Sequence, residues 1–221
     1  LNASDFLHRN DHPVVTGIRN RAEAHGFELH FSCPERNAKK LQQILHRYDI
    51  PLLILISPNK PSLYPEVIPP LQEVPKEFIP PYSALKVFET ALLQAEIPHI
   101  VSKDLLTRRM SDFQYPFFAH TGTHWSELGS CLVAEEVVKQ MRSLLPKFTG
   151  RLTCNVIGEQ QFPPYSGDTD LLSVANIWTP EIFIQPAPLV EQEVLHGDTK
   201  PTALFVGTSF LWALLHNLKE A

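Results

Sequence analysis

Two short stretches of the chain carry residue types suited to acyl transfer. TGTHWSELG (Thr121 to Gly129) sets His124 just before a helix start, and VGTSF (Val206 to Phe210) sets Ser209 between an apolar run and a helical one. A serine hydroxyl is a weak nucleophile at neutral pH and needs a neighbouring base, for which His124 is the candidate. A serine at a strand-to-helix junction sits at the carboxyl edge of an α/β sheet, where such folds place their active sites. The helix N-terminus behind it favours negative charge, and Gly207 lets the backbone turn sharply. The plainer alternative is that GTS is only a turn, with Ser209 capping the last helix.

A serine–histidine pair is normally completed by an acid that fixes the histidine tautomer. The residue two before His124, where such an acid might stand, is Gly122. Asp112, Glu127, Asp168 and Asp170 are the candidate replacements, with Asp112 and Asp168 placed first; the acid is otherwise unassigned. Thr123 or a backbone carbonyl holding the ring in a dyad is the other solution. The chain has 10 histidines, and His120 and His124 lie four apart, but Gly122 between them and the lack of HExxH weaken a helical zinc site. No metal and no cofactor are expected.

The elements that must position these residues follow from apolar spacing. Glu35 to Tyr48 carries Leu41, Ile44, Leu45 and Tyr48 along one helical stripe, and Leu52 to Ser57 is a short buried-strand run. The proline-rich PNKPSLYPEVIPP (Pro58 to Pro70) is a long loop. A helix over Tyr82 to Ala95 and a strand over Ile97 to Val101 complete a βα pattern that points to a largely parallel sheet. Ser126 is the predicted N-cap of a helix running to Leu145, which places Cys131 in the core. Arg151 to Ile157 reads as a strand, Gly167 to Ala175 as a capped helical turn, 180–195 as short extended pieces, Ala203 to Val206 as a short buried strand, and Phe210 to Leu218 as a helix.

Composition bounds the function classes. At 221 residues, 43% hydrophobic and 19% charged, the chain is an ordinary globular one, with room for one α/β domain. A net charge of −5 and the absence of a Lys/Arg run argue against a nucleic-acid binder. Cys33, Cys131 and Cys154 form no CxxC motif and no dense disulfide framework; at most one pair could form, leaving one thiol over, and mostly buried free cysteines are expected rather than a catalytic thiol. No apolar run approaches a membrane span; Leu1 is not a natural start, so an anchor or signal upstream of residue 1 is allowed for.

Taken in order, ISPNKPSLYPEVIP (Ile56 to Pro69), FAHTGTHWSELG (Phe118 to Gly129), GDTDLL (Gly167 to Leu172) and VGTSF resemble successive landmarks of the alginate O-acetyltransferase family, from residue 35 to the end. The resemblance implies an SGNH-hydrolase-like three-layer α/β sandwich with a mostly parallel central sheet over 35–221, after an irregular segment 1–34. It implies a Ser-His-Asp triad with Asp and His from a D-x-H-W motif, so that Ser209 is the nucleophile, His124 the base, and the acid position falls on Gly122. The chain ends twelve residues after Ser209, whereas relatives continue further, so the C-terminal part is expected to be incomplete.

The implied activity is transfer of acetyl through an acetyl-serine onto hydroxyls of an exopolysaccharide. The alternatives are a weakened or inactive glycan-binding scaffold and a carbohydrate acetylesterase. Thr208, Asn59 and Trp125 are the substrate-binding or oxyanion candidates. Trp125, Phe210 and Trp212 are candidates for a sugar-stacking wall, with core packing the expected role for most of them, and Lys60 and Tyr64 are expected to shape the loop beside the site. Implied partners are a polysaccharide acceptor and a membrane acetyltransferase supplying acetyl, with a periplasmic or extracellular location.

Overall fold

The computed structural model describes residues 34–65, 84–161, 168–175, 185–197 and 199–219. The irregular segment expected over 1–34 lies outside them but for Pro34, as does the proline-rich run from Glu66 to Pro81. In chain order the elements are α1 (Pro34–His46), β1 (Ile54–Ile56), α2 (Lys60–Leu63), α3 (Ala84–Gln94), β2 (His99–Val101) and α4 (Ser102–Arg109), the last running into a single 3₁₀ turn, Met110–Asp112. There follow α5 (Glu127–Leu144), β3 (Arg151–Gln160), α6 (Asp170–Ala175), β4 (Ala187–Leu195) and α7 (Phe210–Leu218). The chain divides into two compact units, residues 1–54 with 74–99 and residues 55–73 with 100–221.

In the first unit α1 packs on α3 around Ala38, Leu92 and Ile97, all buried. The Lys39 amino group donates to the Ala95 carbonyl at the end of α3. Short parallel pairing joins β1 and β2, and the Ile54 N–H donates to the Pro98 carbonyl at 2.9 Å.

The second unit is organised by α5. Its N-cap is Ser126, whose Oγ accepts from the Gly129 N–H, and Glu127 and Arg142 complement the helix dipole at either end. Leu128, Cys131, Leu132, Val133, Ala134, Val137 and Val138 are all buried along it, each large aliphatic side chain stabilising by about 1.5–3 kcal/mol relative to exposure. Gly129 is required by a close approach: a Cβ there would stand 2.7 Å from the Phe117 carbonyl oxygen.

β3 and β4 form an antiparallel ribbon running from the Arg151–Leu195 pair to the Gln160–Ala187 pair, with a bulge between Val156 and Gly158. The short extended pieces expected over 180–195 are therefore one nine-residue strand within its second half. Leu152 and Cys154 face inward on β3 while Arg151, Thr153 and Asn155 face out, the period-two signature of a half-buried strand.

Three expectations fail here. The Pro58 to Pro70 stretch is not loop throughout: Lys60–Leu63 forms the short helix α2, with Asn59 as its N-cap and a proline at its start, where the missing N–H costs nothing. Cys131 and Cys154 are not free thiols but a disulfide joining α5 to β3 across a separation of 23 residues. Spacing could not reveal this, because the bridge links a helix face to a strand face that only packing brings together. Closing a loop of that length contributes about 3 kcal/mol in the chain-entropy account. Ala203 to Val206 is not a buried strand: the segment has no regular structure, and Leu204 and Val206 are 88% and 68% exposed. A four-residue apolar run is compatible with a buried strand without specifying its partner.

α7 docks through a buried amide rather than through aliphatic packing alone. Asn217, 1% exposed, donates from Nδ2 to Ser130 Oγ on α5 (2.9 Å) and to the Ala213 carbonyl (2.8 Å), while its Oδ1 accepts from Gln192 on β4. With Ala213 and Leu214 buried alongside, this network fixes the helix that has Ser209 at its head.

Candidate active site

Ser209 has helical backbone angles (φ −57°, ψ −24°) and its side chain makes no capping bond to α7. Ser209 thus holds the N-cap position of α7 without its hydroxyl serving as the cap. Its Oγ instead lies 2.7 Å from His124 Nε2, a partner 85 residues away. The other ring nitrogen, His124 Nδ1, lies 2.6 Å from Asp170 Oδ2. An ionised carboxylate can only accept, so Nδ1 carries the ring proton and donates to Asp170. Nε2 is then left as the acceptor for the Ser209 hydroxyl. The His120 carbonyl accepts from Lys60.

Asp170 is held from two sides. The Thr123 N–H donates to Oδ1 (2.8 Å) and the Thr123 hydroxyl to Oδ2 (2.6 Å). Burial alone would raise its pKa, but these two donors and the His124 ring outweigh it and leave the carboxyl below its ordinary value. The segment carrying it is tied to the histidine loop twice more. Leu171 N–H donates to the Thr121 carbonyl (3.0 Å) and the Thr121 hydroxyl to the Asp168 carbonyl (2.6 Å).

The loop before His124 is clamped from the PNKPSLYP landmark. Lys60 Nζ donates to the carbonyls of Ala119 (2.6 Å), His120 (2.8 Å) and Gly122 (3.1 Å), which uses all three ammonium donors. Desolvation lowers the Lys60 pKa, while the charge of Asp170 acts the other way. The Tyr64 hydroxyl accepts from the Phe117 N–H (2.8 Å), and the Phe117 carbonyl accepts from the Ser126 N–H (2.7 Å). Thus Lys60 and Tyr64 shape the histidine loop. Phe210 lies against the imidazole at 4.9 Å between ring centres and edge-on to Trp125 at 5.1 Å.

Of the two acids placed first, neither reaches the histidine. Asp112 is exposed and paired with Arg109 at 2.7 Å within the turn after α4. Asp168 turns its side chain inward, 2% exposed, and its Oδ1 has no hydrogen-bond partner among the described residues. Glu127 is on the first turn of α5, its pKa raised by burial and countered by His216. Asp170, two residues from Asp168 in the same GDTDLL stretch, is the one that arrives, and nothing in the alternation of that stretch distinguishes the two.

Trp125 is fully buried, so it packs the core beneath the site and is not a surface for substrate. Asn59 uses its Oδ1 to cap α2, accepting from the Ser62 N–H at 2.9 Å, and its Nδ2 has no partner among the described residues. Thr208 is exposed, and its carbonyl accepts from the Leu211 N–H.

A sequence model of the family described as "SGNH hydrolase-like domain, acetyltransferase AlgX" matches residues 21–220. The chain belongs to that family. Among solved structures it is similar to the O-acetyltransferase domain of Pseudomonas putida AlgJ, with 21% identity, a TM-score of 0.50, and coverage of 84% of this chain and 67% of that one. It is also similar to AlgX of Pseudomonas aeruginosa, at 16% identity and a TM-score of 0.45, over 74% of this chain and 38% of that one. The family model and the likeness to the AlgJ domain speak to the SGNH-hydrolase-like fold. No curated protein sequence matches. Among the described residues, no helix is long and apolar enough to cross a membrane.

The buried Asp168 makes stability pH-dependent. Burial first, then the charges of Glu127 and Asp170, push its pKa from 3.8 to about 7. The folded chain therefore holds this proton up to about pH 7, whereas the unfolded chain releases it near 3.8. The contribution is complete below the lower value and is lost as pH rises through the upper one. Asp168→Asn removes the titration, so its stability advantage over wild type should grow by up to about 3 kcal/mol between pH 5 and pH 8. Urea unfolding at the two pH values measures this, and parallel stabilities would refute it.

Proposed function

We propose that the chain is an O-acetyltransferase that works through an acetyl-serine on Ser209, with His124 as general base and acid and Asp170 as the orienting acid. The observation that carries this reading is that the Ser209 hydroxyl is committed to His124 Nε2 rather than to its own helix. As Ser209 Oγ attacks the carbonyl carbon of an acetyl donor, its proton passes to His124 Nε2. The imidazolium so formed is stabilised by Asp170. The Ser209 and Phe210 N–H groups at the head of α7, with Asn59 Nδ2, are the proposed donors to the oxyanion. The leaving group departs with the proton from Nε2. A sugar hydroxyl then gives its proton to Nε2 and attacks the acetyl carbon; on collapse the proton returns to Ser209 Oγ.

Polysaccharide is the proposed acceptor, alginate first among candidates because the family and the similar structures are those of alginate acetylation proteins. A membrane acetyltransferase as the source of acetyl, and a periplasmic or extracellular site of action, complete the proposal. The Cys131–Cys154 disulfide supports the location, since such bonds persist in oxidising compartments. The test is to expose the protein to 4-nitrophenyl acetate, quench, and map the adduct by mass spectrometry. One acetyl group on Ser209, discharged faster when a mannuronate oligosaccharide is added, is the expected result. An adduct elsewhere, or discharge to water alone, rejects transfer through this serine.

A further inference from the structure

α7 buries one face and leaves the other bare. Ala213, Leu214 and Asn217 pack inward, whereas Trp212 is 73% exposed and His216 is exposed one turn on. Ser209, Trp212 and His216 follow the three- and four-residue spacing that puts side chains on one stripe of a helix. Helical side chains in general lean toward the helix N-terminus, the end of α7 at which Ser209 stands. The Trp212 N–H donates to the Ser209 carbonyl at 3.2 Å, which ties the two residues within the first turn.

Among the described residues, the other aromatic rings in contact with the imidazole or with Phe210 are spent on packing. Phe210 is packed on His124, Trp125 and Phe118, and Trp125 has no exposed surface. Trp212 contributes nothing comparable to the core. A tryptophan this exposed leaves a large apolar face in water, and such surface usually marks a binding site. Leu204 and Val206, a few residues before Ser209 in the chain, are apolar and exposed as well.

We propose that Trp212 is the platform on which a pyranose ring of the acceptor stacks, presenting a ring hydroxyl to the acetyl group on Ser209. This rests on the acetyl-serine reading above. One face of a pyranose is a sheet of C–H bonds whose hydrogens carry partial positive charge, and these fit the negative face of an indole. The sugar hydroxyls point outward around that contact and keep their water, which suits a platform at the surface rather than a pocket. An extended polymer needs such an open site, because every residue along it must be able to enter and leave. The geometry therefore favours an acceptor with a stackable ring over a small alcohol.

The test uses 4-nitrophenyl acetate as donor and two acceptors of equal length, a mannuronate oligosaccharide and a neutral cello-oligosaccharide. Wild type, Trp212→Ala and Trp212→Phe are compared for kcat and for apparent acceptor KM. A lost stacking contact raises acceptor KM about ten-fold in Trp212→Ala for at least one oligosaccharide, with a smaller change in kcat, and Trp212→Phe recovers most of it. An acceptor KM unchanged in Trp212→Ala overturns the proposal, as does a loss confined to kcat. Circular dichroism checks the fold, which an exposed substitution should leave intact.

If wild type and Ser209→Ala release 4-nitrophenol at the same rate, the acetyl-serine reading fails by itself. Tryptophan fluorescence then decides the platform separately. A saturable change on adding oligosaccharide that disappears in Trp212→Phe supports it, and no change in wild type overturns it.

Discussion

Ser209→Ala should lower acetyl transfer by at least about four orders of magnitude, the usual cost of removing the nucleophile from a working triad. The same change should scarcely alter stability. Ser209 is exposed, its side chain does not cap α7, and among the described residues its Oγ bonds only to His124, so the substitution orphans no buried group there. Exposed substitutions of that kind usually stay within about 0.5 kcal/mol. That pairing of a large kinetic loss with an unchanged melt separates the enzyme from a glycan-binding scaffold. In a scaffold, wild type and variant would be equally inert toward an acetyl ester and would bind oligosaccharide alike. The measurement is 4-nitrophenol release under saturating donor, with thermal unfolding of both proteins as the control.

The helices of this fold were largely legible in the sequence because their apolar spacing is periodic over many residues. α5 shows why: Ser126, Glu127 and the stripe from Leu128 onward specify its start, its charge and its buried face without reference to anything distant. That Ser209 and His124 lie side by side was legible through the family resemblance of their two segments rather than through the local pattern, since the strand expected before Ser209 is absent. What could not be read were the contacts made between segments. Asp170 differs from Asp168 only in which way a short turn faces after it docks on Thr121 and Thr123. The pairing of Cys131 with Cys154 likewise depends on α5 lying against β3, which neither cysteine's neighbours encode. The exposed run at Ala203 to Val206 is the opposite case: local composition suggests burial, and tertiary structure does not supply it.

The departure at Gly122 leads to the second large effect. Asp170→Asn should cost roughly three to four orders of magnitude in transfer, because an amide nitrogen facing Nδ1 drives the ring to the tautomer with its proton on Nε2. In that form the histidine can no longer accept from Ser209. Asparagine is chosen over alanine because its carbonyl can still accept from Thr123, which leaves most of the local bonding in place. The depressed pKa of Asp170 means that its ionised form contributes stability from the ordinary carboxylate range upward, and that contribution fades as pH falls below 3.8.

A carboxylate returned to the position implied by the D-x-H-W resemblance provides the decisive arm. The Gly122 backbone is pinned two residues ahead of the ring, its N–H donating to Ala119 at 3.1 Å and its carbonyl accepting from Lys60 at 3.1 Å. Gly122→Asp in the Asp170→Asn background is expected to recover about ten-fold or more, by offering Nδ1 a carboxylate from the position that the resemblance implies. Activity of Asp170→Asn within about ten-fold of wild type would reject the acid role outright. A dead single variant that Gly122→Asp does not rescue would leave Asp170 as the acid but show that residue 122 no longer faces the ring. A rescue would show that one carboxylate is needed and that two separate segments of this fold can supply it.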